Sequence, residues 1–370
     1  MKVEVMLYVY LAISAAMIVF NIVSAFVFKF NDRKLDKKST SFNSILGVQM
    51  KRLKNELQIE KKHIRFLVKR LRNVGDFLAF DKALTEIYDR DSSTVQKYFQ
   101  EIYPALLSLA KYYKGRSPVK SAFFPYIISK YKILAVDGFD AIMRIMMEYL
   151  HKQDFFCRRN ALLAIFSSED IDSISDALHT VDNLKVRYNT KLISEGILRH
   201  TANRNAICKR LLAELGDFTV DMQVSIINLC RLSSAEFSEE ILGLLLDDRH
   251  DNELRFACIR YFATHPNPNA HKVLLRFNDA RTAESWEYIA VSSTALSEYP
   301  SEDTIESLKK NLYSSNWHVR HNSADSLEKL GLHYSDLIEV FEGDDRYARE
   351  IMQYHLDARE LLALEGGAKE

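Results

Sequence analysis

From Val319 the chain reads VRHNSADSLEKLG: a Val-Arg pair, small residues at Ser323 and Ala324, then Leu327, Leu330 and a closing Gly331. Apolar and small side chains at those offsets line one stripe of a helix. The preceding stretch, Asp303 to Leu312, supplies a second short helix with one apolar face. Two such helices cannot bury both faces alone, so the pair must stack on others like it. The pattern recurs. Counting back from Arg320, the matching positions are Glu287, Arg255, Gln223, Arg187 and Arg158, at steps of 33, 32, 32, 36 and 29 residues. Weaker copies fall at Lys120 and Arg346.

The first helix of each pair is expected at Phe139 to Leu150, Ile171 to Val181, Ala206 to Leu215, Ser238 to Leu246, Asn269 to Phe277 and Asp303 to Leu312. Asp303 with Glu306 is a candidate capping box, and Gly216 and Gly331 are candidate left-handed terminators. Pro266, Pro268 and Pro300 fall between helices. A closing helix is expected over Asp344 to Leu364. No run alternates as a strand does, and 11 Gly and 6 Pro in 370 residues supply too few turns for a sheet-rich fold. The expected class is all-α.

Over roughly Gly75 to Leu364 the chain resembles the HEAT-repeat, armadillo-like family, most sharply at Val319 to Gly331. The resemblance implies a right-handed α-solenoid whose second helices line a concave face that holds other proteins. It also implies that the junction arginine braces its turn through an acid, with Asp247 and Asp248 as candidates for Arg255. Positions two and five or six past the junction are then expected to face solvent. They include Asn160, Asn189, Ser225, Ala257, Ile289 and Asn322, with Asn228, Arg260, Tyr261 and Asp325 further on. Armadillo proteins use an asparagine ladder to bind an extended peptide, since an amide offers both donor and acceptor. Asn160, Asn189, Asn228, Arg260, Tyr261 and Asn322 are therefore the candidate partner-binding residues; ordinary helix surface is the alternative reading. Membrane-bound bacterial members suggest an accessory of an envelope machine, such as a polysaccharide synthase.

Val5 to Phe28 is free of charged residues. As a helix it would reach about 36 Å, enough to cross a hydrocarbon core of about 30 Å. A cleaved leader would show a more basic start and a shorter apolar core. Lys29, Arg33, Lys34, Lys37 and Lys38 follow directly, so the positive-inside rule places the body in the cytoplasm and the N-terminus outside. The same lysines and arginine are the candidate contacts to an anionic membrane surface.

The formal charge of zero conceals a division: from Lys29 to Arg72 there are 14 Lys and Arg against four acids, a local excess of +10. Within that stretch Leu46, Met50, Leu53, Leu57, Glu60, Ile64, Leu67 and Leu71 recur at steps of four and three, as in a heptad seam. Residues 46–71 then either cap the first repeats, pair with a second copy as a homodimer, or lie along the membrane. The expected domains are an anchor at 1–30, a basic amphipathic helix at 31–73 and the solenoid at 74–370.

No catalytic constellation stands out: there is no phosphate-binding glycine loop and no HExxH, and no His-Glu dipeptide of the kind used by the HEAT-built deoxyhypusine hydroxylases. No cofactor and no metal are expected. His318 and His321 share a helix face but read as polar surface. Cys157, Cys208, Cys230 and Cys258 lack ligand spacing and read as buried thiols. Nucleic acid is not expected as a partner, because the basic charge sits beside the span and the remaining body is acidic. The expected function is a non-enzymatic, membrane-tethered protein-binding scaffold. The alternative is a HEAT-fold enzyme or nucleic-acid-binding protein with its site in the concave groove.

Overall fold

The computed structural model describes residues 3–185, 188–281, 283 and 285–367, without the side chains of 3–12, 15, 18, 19, 21–30 and 360–367. Every regular element among the described residues is helical. The chain divides into two compact units, Met1–Ala177 and Leu178–Glu370. The division falls inside the repeating region expected over 74–370, not at its edge.

The first unit contains α1 (Val3–Lys54), α2 (Lys61–Arg70), α3 (Val74–Tyr88), α4 (Ser92–Glu101), α5 (Tyr103–Lys114), α6 (Pro118–Lys130), α7 (Asp140–Tyr149) and α8 (Phe155–Phe166). Helix α1 packs on α3 and α4, and α2 packs on α5. Helix α8 packs on both α6 and α7. The expected seam over 46–71 is not one helix. Helix α1 stops at Lys54, and the chain turns back through Glu56 in the left-handed region (φ 57°) before α2 begins. Leu46, Met50, Leu67 and Leu71 are buried within this unit, whereas Leu57 in the turn is exposed. Folding back lets both halves of the apolar stripe cover neighbouring helices, which one straight rod could not do. In this arrangement those four side chains are covered within the unit.

The boundary between the units lies within α9 (Ile171–Asn183). The second unit continues with α10 (Thr190–His200), α11 (Arg204–Ala213), α12 (Val220–Ser233), α13 (Ser238–Leu246), α14 (Asn252–Phe262), α15 (Pro268–Asn278), α16 (Trp286–Leu296), α17 (Glu302–Asn311), α18 (Trp317–Lys329), α19 (Ile338–Glu342) and α20 (Arg346–Gly367). Here α10, α12, α14, α16, α18 and α20 each pack on the next, and α11, α13, α15, α17 and α19 each pack on the even-numbered helix that follows. Stacked pairs of this kind are compatible with an α-solenoid. The expected first helices fall within a few residues of α7, α9, α11, α13, α15 and α17. Two end signals differ from expectation. Ser301, not Asp303, caps α17 by accepting from the Thr304 amide, and Gly216 lies in a short 3-10 turn without a left-handed backbone. Gly331 does end α18 in the left-handed region, at φ 85°.

Most of these helices are short, so much of each backbone lies in a last turn whose carbonyls have no partner inside the helix. Side chains close some of these ends and also the turns between helices. At the junction register Arg158 Nη1 donates to the Lys152 and Gln153 carbonyls (2.6 and 2.7 Å), Gln223 Nε2 to Leu215 and Phe218 (3.0 and 2.9 Å), and Arg255 Nε to Leu245 (3.3 Å). Of the two acids expected near Arg255, Asp247 holds Arg249; the Arg255 guanidinium lies over the rings of Phe277 and Tyr288. Buried tyrosines act in the same way, with Tyr113 on the Leu71 carbonyl and Tyr261 on that of Ser234. So does Asn311, whose Nδ2 reaches the carbonyl and the Oδ1 of buried Asn278.

Among the described residues no helix is long and apolar enough to cross a membrane. Most side chains of the expected span, Val5 to Phe28, and the junction residue Arg187 lie outside the described residues.

Two expectations follow. Gln223→Ala should lower the unfolding free energy by about 1–3 kcal/mol, because it removes the side-chain donor from the Phe218 carbonyl and one of two donors from that of Leu215, and Gln223→Arg should restore it; equal losses in both variants, measured by urea unfolding, would contradict the shared role. The second concerns His63, buried with Nε2 2.8 Å from the Tyr98 hydroxyl and held by burial at a pKa of about 4, against a weaker opposing pull from Glu60. An unfolded histidine takes up its proton near 6.5, so stability is full above that pH and falls as pH drops from 6.5 to 4. The loss should be about 3 kcal/mol. His63→Gln should flatten the slope over that window, and an unchanged pH profile would contradict the assignment.

Candidate functional site

The second helices of the last pairs begin with large aromatic side chains that the core does not take. Trp286 opens α16 and Trp317 opens α18, and these are the two tryptophans of the chain. Position is the cause. In α18 the buried stripe runs through Val319, Ala324 and Leu327, and Trp317 falls off it. Both indoles remain open to solvent, at 42% and 54%. In a folded chain, exposed tryptophans side by side mark a contact surface more often than scattered leucines do.

The two indoles are linked by histidines into one ribbon. The Trp286 ring stacks on His318 (5.5 Å between centroids, 17° between planes), and His318 meets Trp317 edge-on at 5.1 Å. Trp317 lies flat on His321 at 4.8 Å and 6°, since residues four apart share a helix face. His321 then packs on His355 of α20 at 4.9 Å, and Tyr354 closes the row edge-on at 5.5 Å. Beside it the Arg320 guanidinium covers the ring of exposed Tyr347, 5.0 Å from its centroid. Such stacking fixes the rings before any partner arrives, which lowers the ordering cost of binding.

The imidazoles give the ribbon a polar and titratable middle. His321 Nδ1 and His355 Nε2 are 3.1 Å apart, a contact that needs one ring to donate and the other to accept. Burial first, and the neighbouring His321 second, hold His355 below the usual imidazole range. Asp325, one turn along from His321, carries a salt bridge to Lys329 at 2.7 Å. Among the described residues no three His, Cys, Asp or Glu side chains are grouped to hold a metal. The four cysteines are buried, and burial pushes the Cys258 thiol up to about 12.

The candidate partner-binding residues are not brought together as a solvent-facing ladder. Asn160 Nδ2 donates to the Ala122 carbonyl (2.9 Å), and Asn322 Nδ2 donates to that of Ala290 (2.9 Å). Both amides are used to tie one second helix to the preceding one. Asn189 caps α10 by accepting from the Lys191 amide, and Asn228 binds the Val224 carbonyl and Arg231. Ser225, Ala257, Ile289 and Tyr261 are buried, and Arg260 is exposed. The chosen offset therefore points at the neighbouring helix, because a tightly packed stack buries a wider arc than a single stripe. Of the membrane-surface candidates, Arg33, Lys34 and Lys37 are exposed, and Lys38 is half-buried against Asp76 at 2.6 Å. The Lys29 side chain lies outside the described residues.

His318 and His321 read as plain polar surface in sequence, and the tryptophans, Tyr354 and His355 were not read as a site. The available signal was the register: Trp286 lies one residue before the Glu287 mark, and Trp317 three before Arg320. No family model matches the chain, and no curated protein is significantly similar to it.

Tryptophan emission offers a direct check. Both indoles should emit as water-exposed residues and be quenched by acrylamide in Trp286→Phe and Trp317→Phe single-tryptophan variants. A blue-shifted, quencher-resistant emission would mean that the ribbon is covered in the free protein.

Proposed function

We propose that this chain is a HEAT-like α-solenoid acting as a protein-docking scaffold, with the ribbon from Trp286 to Tyr354 as its principal contact surface. The observation that carries this reading is that both tryptophans are exposed, adjacent and held in stacked order. Tryptophan, tyrosine and arginine supply most binding energy at protein interfaces, and here Trp286, Trp317, Tyr347, Tyr354 and Arg320 lie in one patch. The recurring junction and the stack of second helices support the family reading; its handedness is part of the proposal.

The scaffold is tethered to a membrane by the uncharged run Val5 to Phe28, with its body on the cytoplasmic side. That part of the reading rests on sequence: 24 residues without charge, followed at once by the basic stretch. A single helix, Val3–Lys54, carries the backbone through both, so a tether and the first unit would share one rigid element.

The test is affinity capture from a detergent extract with quantitative comparison of the wild type, Trp286→Ala/Trp317→Ala, and Arg260→Glu on a different part of the helix surface. The double variant should weaken retention of specific partners by about 30-fold or more, the equivalent of two contacts of about 1 kcal/mol each. Arg260→Glu should leave them bound. An unchanged partner set in a double variant that retains its helical circular dichroism would remove the ribbon from the interface.

A further inference from the structure

Helix α2 packs on α5, and the groove between them is an open cavity of ≈ 380 Å³ lined by Ile64, Arg65, Val68, Lys69, Arg72 and Pro104. Its make-up follows from α2, which carries five Lys or Arg and no acid in ten residues. His63, Leu67 and Leu71 turn into the unit and are buried. Ile64 and Val68 each follow one of these, four residues apart on one helix face, and are half-buried. With Pro104 they give the groove an aliphatic floor that is incompletely covered. Arg65, Lys69 and Arg72 are exposed along it.

These cations have no acid of their own. The acids flanking α2 are engaged by others: Glu60 meets Lys62 at 3.1 Å and Arg52 at 3.8 Å, and Asp76 meets Lys38 at 2.6 Å and Arg70 at 3.1 Å. Helix α5 contributes none. Among the described residues no carboxylate pairs with Arg65, Lys69, Arg72 or Arg116. Two of these guanidiniums also share one ring, with Arg72 5.1 Å and Arg116 4.0 Å from the centroid of Tyr112. The ring holds both in place and brings like charges together, an arrangement that a bound carboxylate would stabilise.

Charge complementarity calls for an acidic occupant, and the floor calls for one that also carries aliphatic side chains. Nucleic acid would use only the charges: single strands are held by aromatic rings on which bases stack, and none of the six lining residues is aromatic. A bilayer is too far away. Under the tether reading, Phe66 of α2 meets Phe42 of α1, fourteen residues beyond Phe28 and about 21 Å of helix rise from it, whereas a headgroup layer is about 5–8 Å deep. We propose that this groove docks an acidic amphipathic segment of a partner protein. Its apolar side chains lie against Ile64, Val68 and Pro104, and its carboxylates meet Arg65, Lys69, Arg72 and Arg116. The groove belongs to the first unit and the aromatic ribbon to the second, so neither reading depends on the other.

The experiment is fluorescence anisotropy of the detergent-purified full chain with a short fluorescein-labelled peptide of Leu and Glu. Two control peptides replace its Glu with Gln or its Leu with Ser. The Leu/Glu peptide should bind saturably, and each control about tenfold more weakly or worse, since each forfeits one half of the surface. Arg65→Glu/Lys69→Glu should weaken binding by about tenfold or more, the scale of two reversed exposed charges. Lys272→Glu, on exposed surface of the second unit, should retain it, and so should Trp286→Ala/Trp317→Ala. Equal loss in Lys272→Glu would mean diffuse attraction, and loss in the tryptophan variant would move the peptide to the ribbon; either overturns the proposal. A Glu/Ser control that binds as tightly would remove the role of the floor and overturn the amphipathic occupant. Competition by oligothymidylate or by soluble dioctanoyl phosphatidylglycerol stronger than by unlabelled peptide would assign the groove to nucleic acid or to lipid. That result, or the absence of saturable peptide binding, would overturn the proposal as well.

Discussion

Closure of helix ends is the constraint on which this fold depends. A chain built from many short helices exposes unpartnered carbonyls at each turn, and every one that is buried needs a donor. Here the donors are side chains on the next helix or the next pair: Arg158, Gln223 and Arg255 at the junction, Tyr113 and Tyr261 in the core, and Asn311 at the end of α17. Each bond joins an end to a neighbour, so the same interaction that satisfies a carbonyl also sets the spacing of the stack. The requirement is for a donor of suitable reach, not for a charge. That explains why Gln223 can stand where other repeats carry arginine.

The same economy decides what reaches the surface. Asparagines two residues past the junction look like a binding ladder when only the helix is considered, yet Asn160 and Asn322 are taken up by the carbonyls of the preceding second helix. The stack's edge is different. In the first turns of α16, α18 and α20, Tyr288, Val319 and Ala348 are buried, whereas Trp286, Trp317 and Tyr347 stand exposed. Large aromatic side chains in such positions add little to the stack itself, so their energetic value lies in contacts beyond it. The histidines between them order the rings and bring a polar element into the surface.

At the N-terminal end the governing balance is between burial and charge. The apolar stripe from Leu46 to Leu71 is long enough for a rod, but the turn at Asn55 to Glu60 folds it into two helices that share the first unit's core. Of the basic residues on α1 and α2, Lys37, Lys38 and Arg70 line one cavity. Asp76 fixes two of them and leaves a cationic rim over an apolar floor.

The all-helical class, the positions of the first helices from α7 to α17, the burial of the four cysteines and the left-handed end at Gly331 were legible in the sequence, because spacing of apolar residues and helix punctuation act locally. Partners were not legible. Periodicity marks Arg255 and Gln223 as equivalent, but it does not reveal that both donate to backbone carbonyls, since that depends on where the previous helix ends in space. Nor could a heptad show that it would break at Lys54. The ribbon was hidden for the same reason: Trp286 and His318 are 32 residues apart along the chain and His321 and His355 are 34, and only stacking of α16, α18 and α20 brings their rings into contact. Sequence determined which residues form helices and which face of each is apolar. Tertiary packing decided which polar groups were consumed in closing the stack and which aromatic ones remained for a partner.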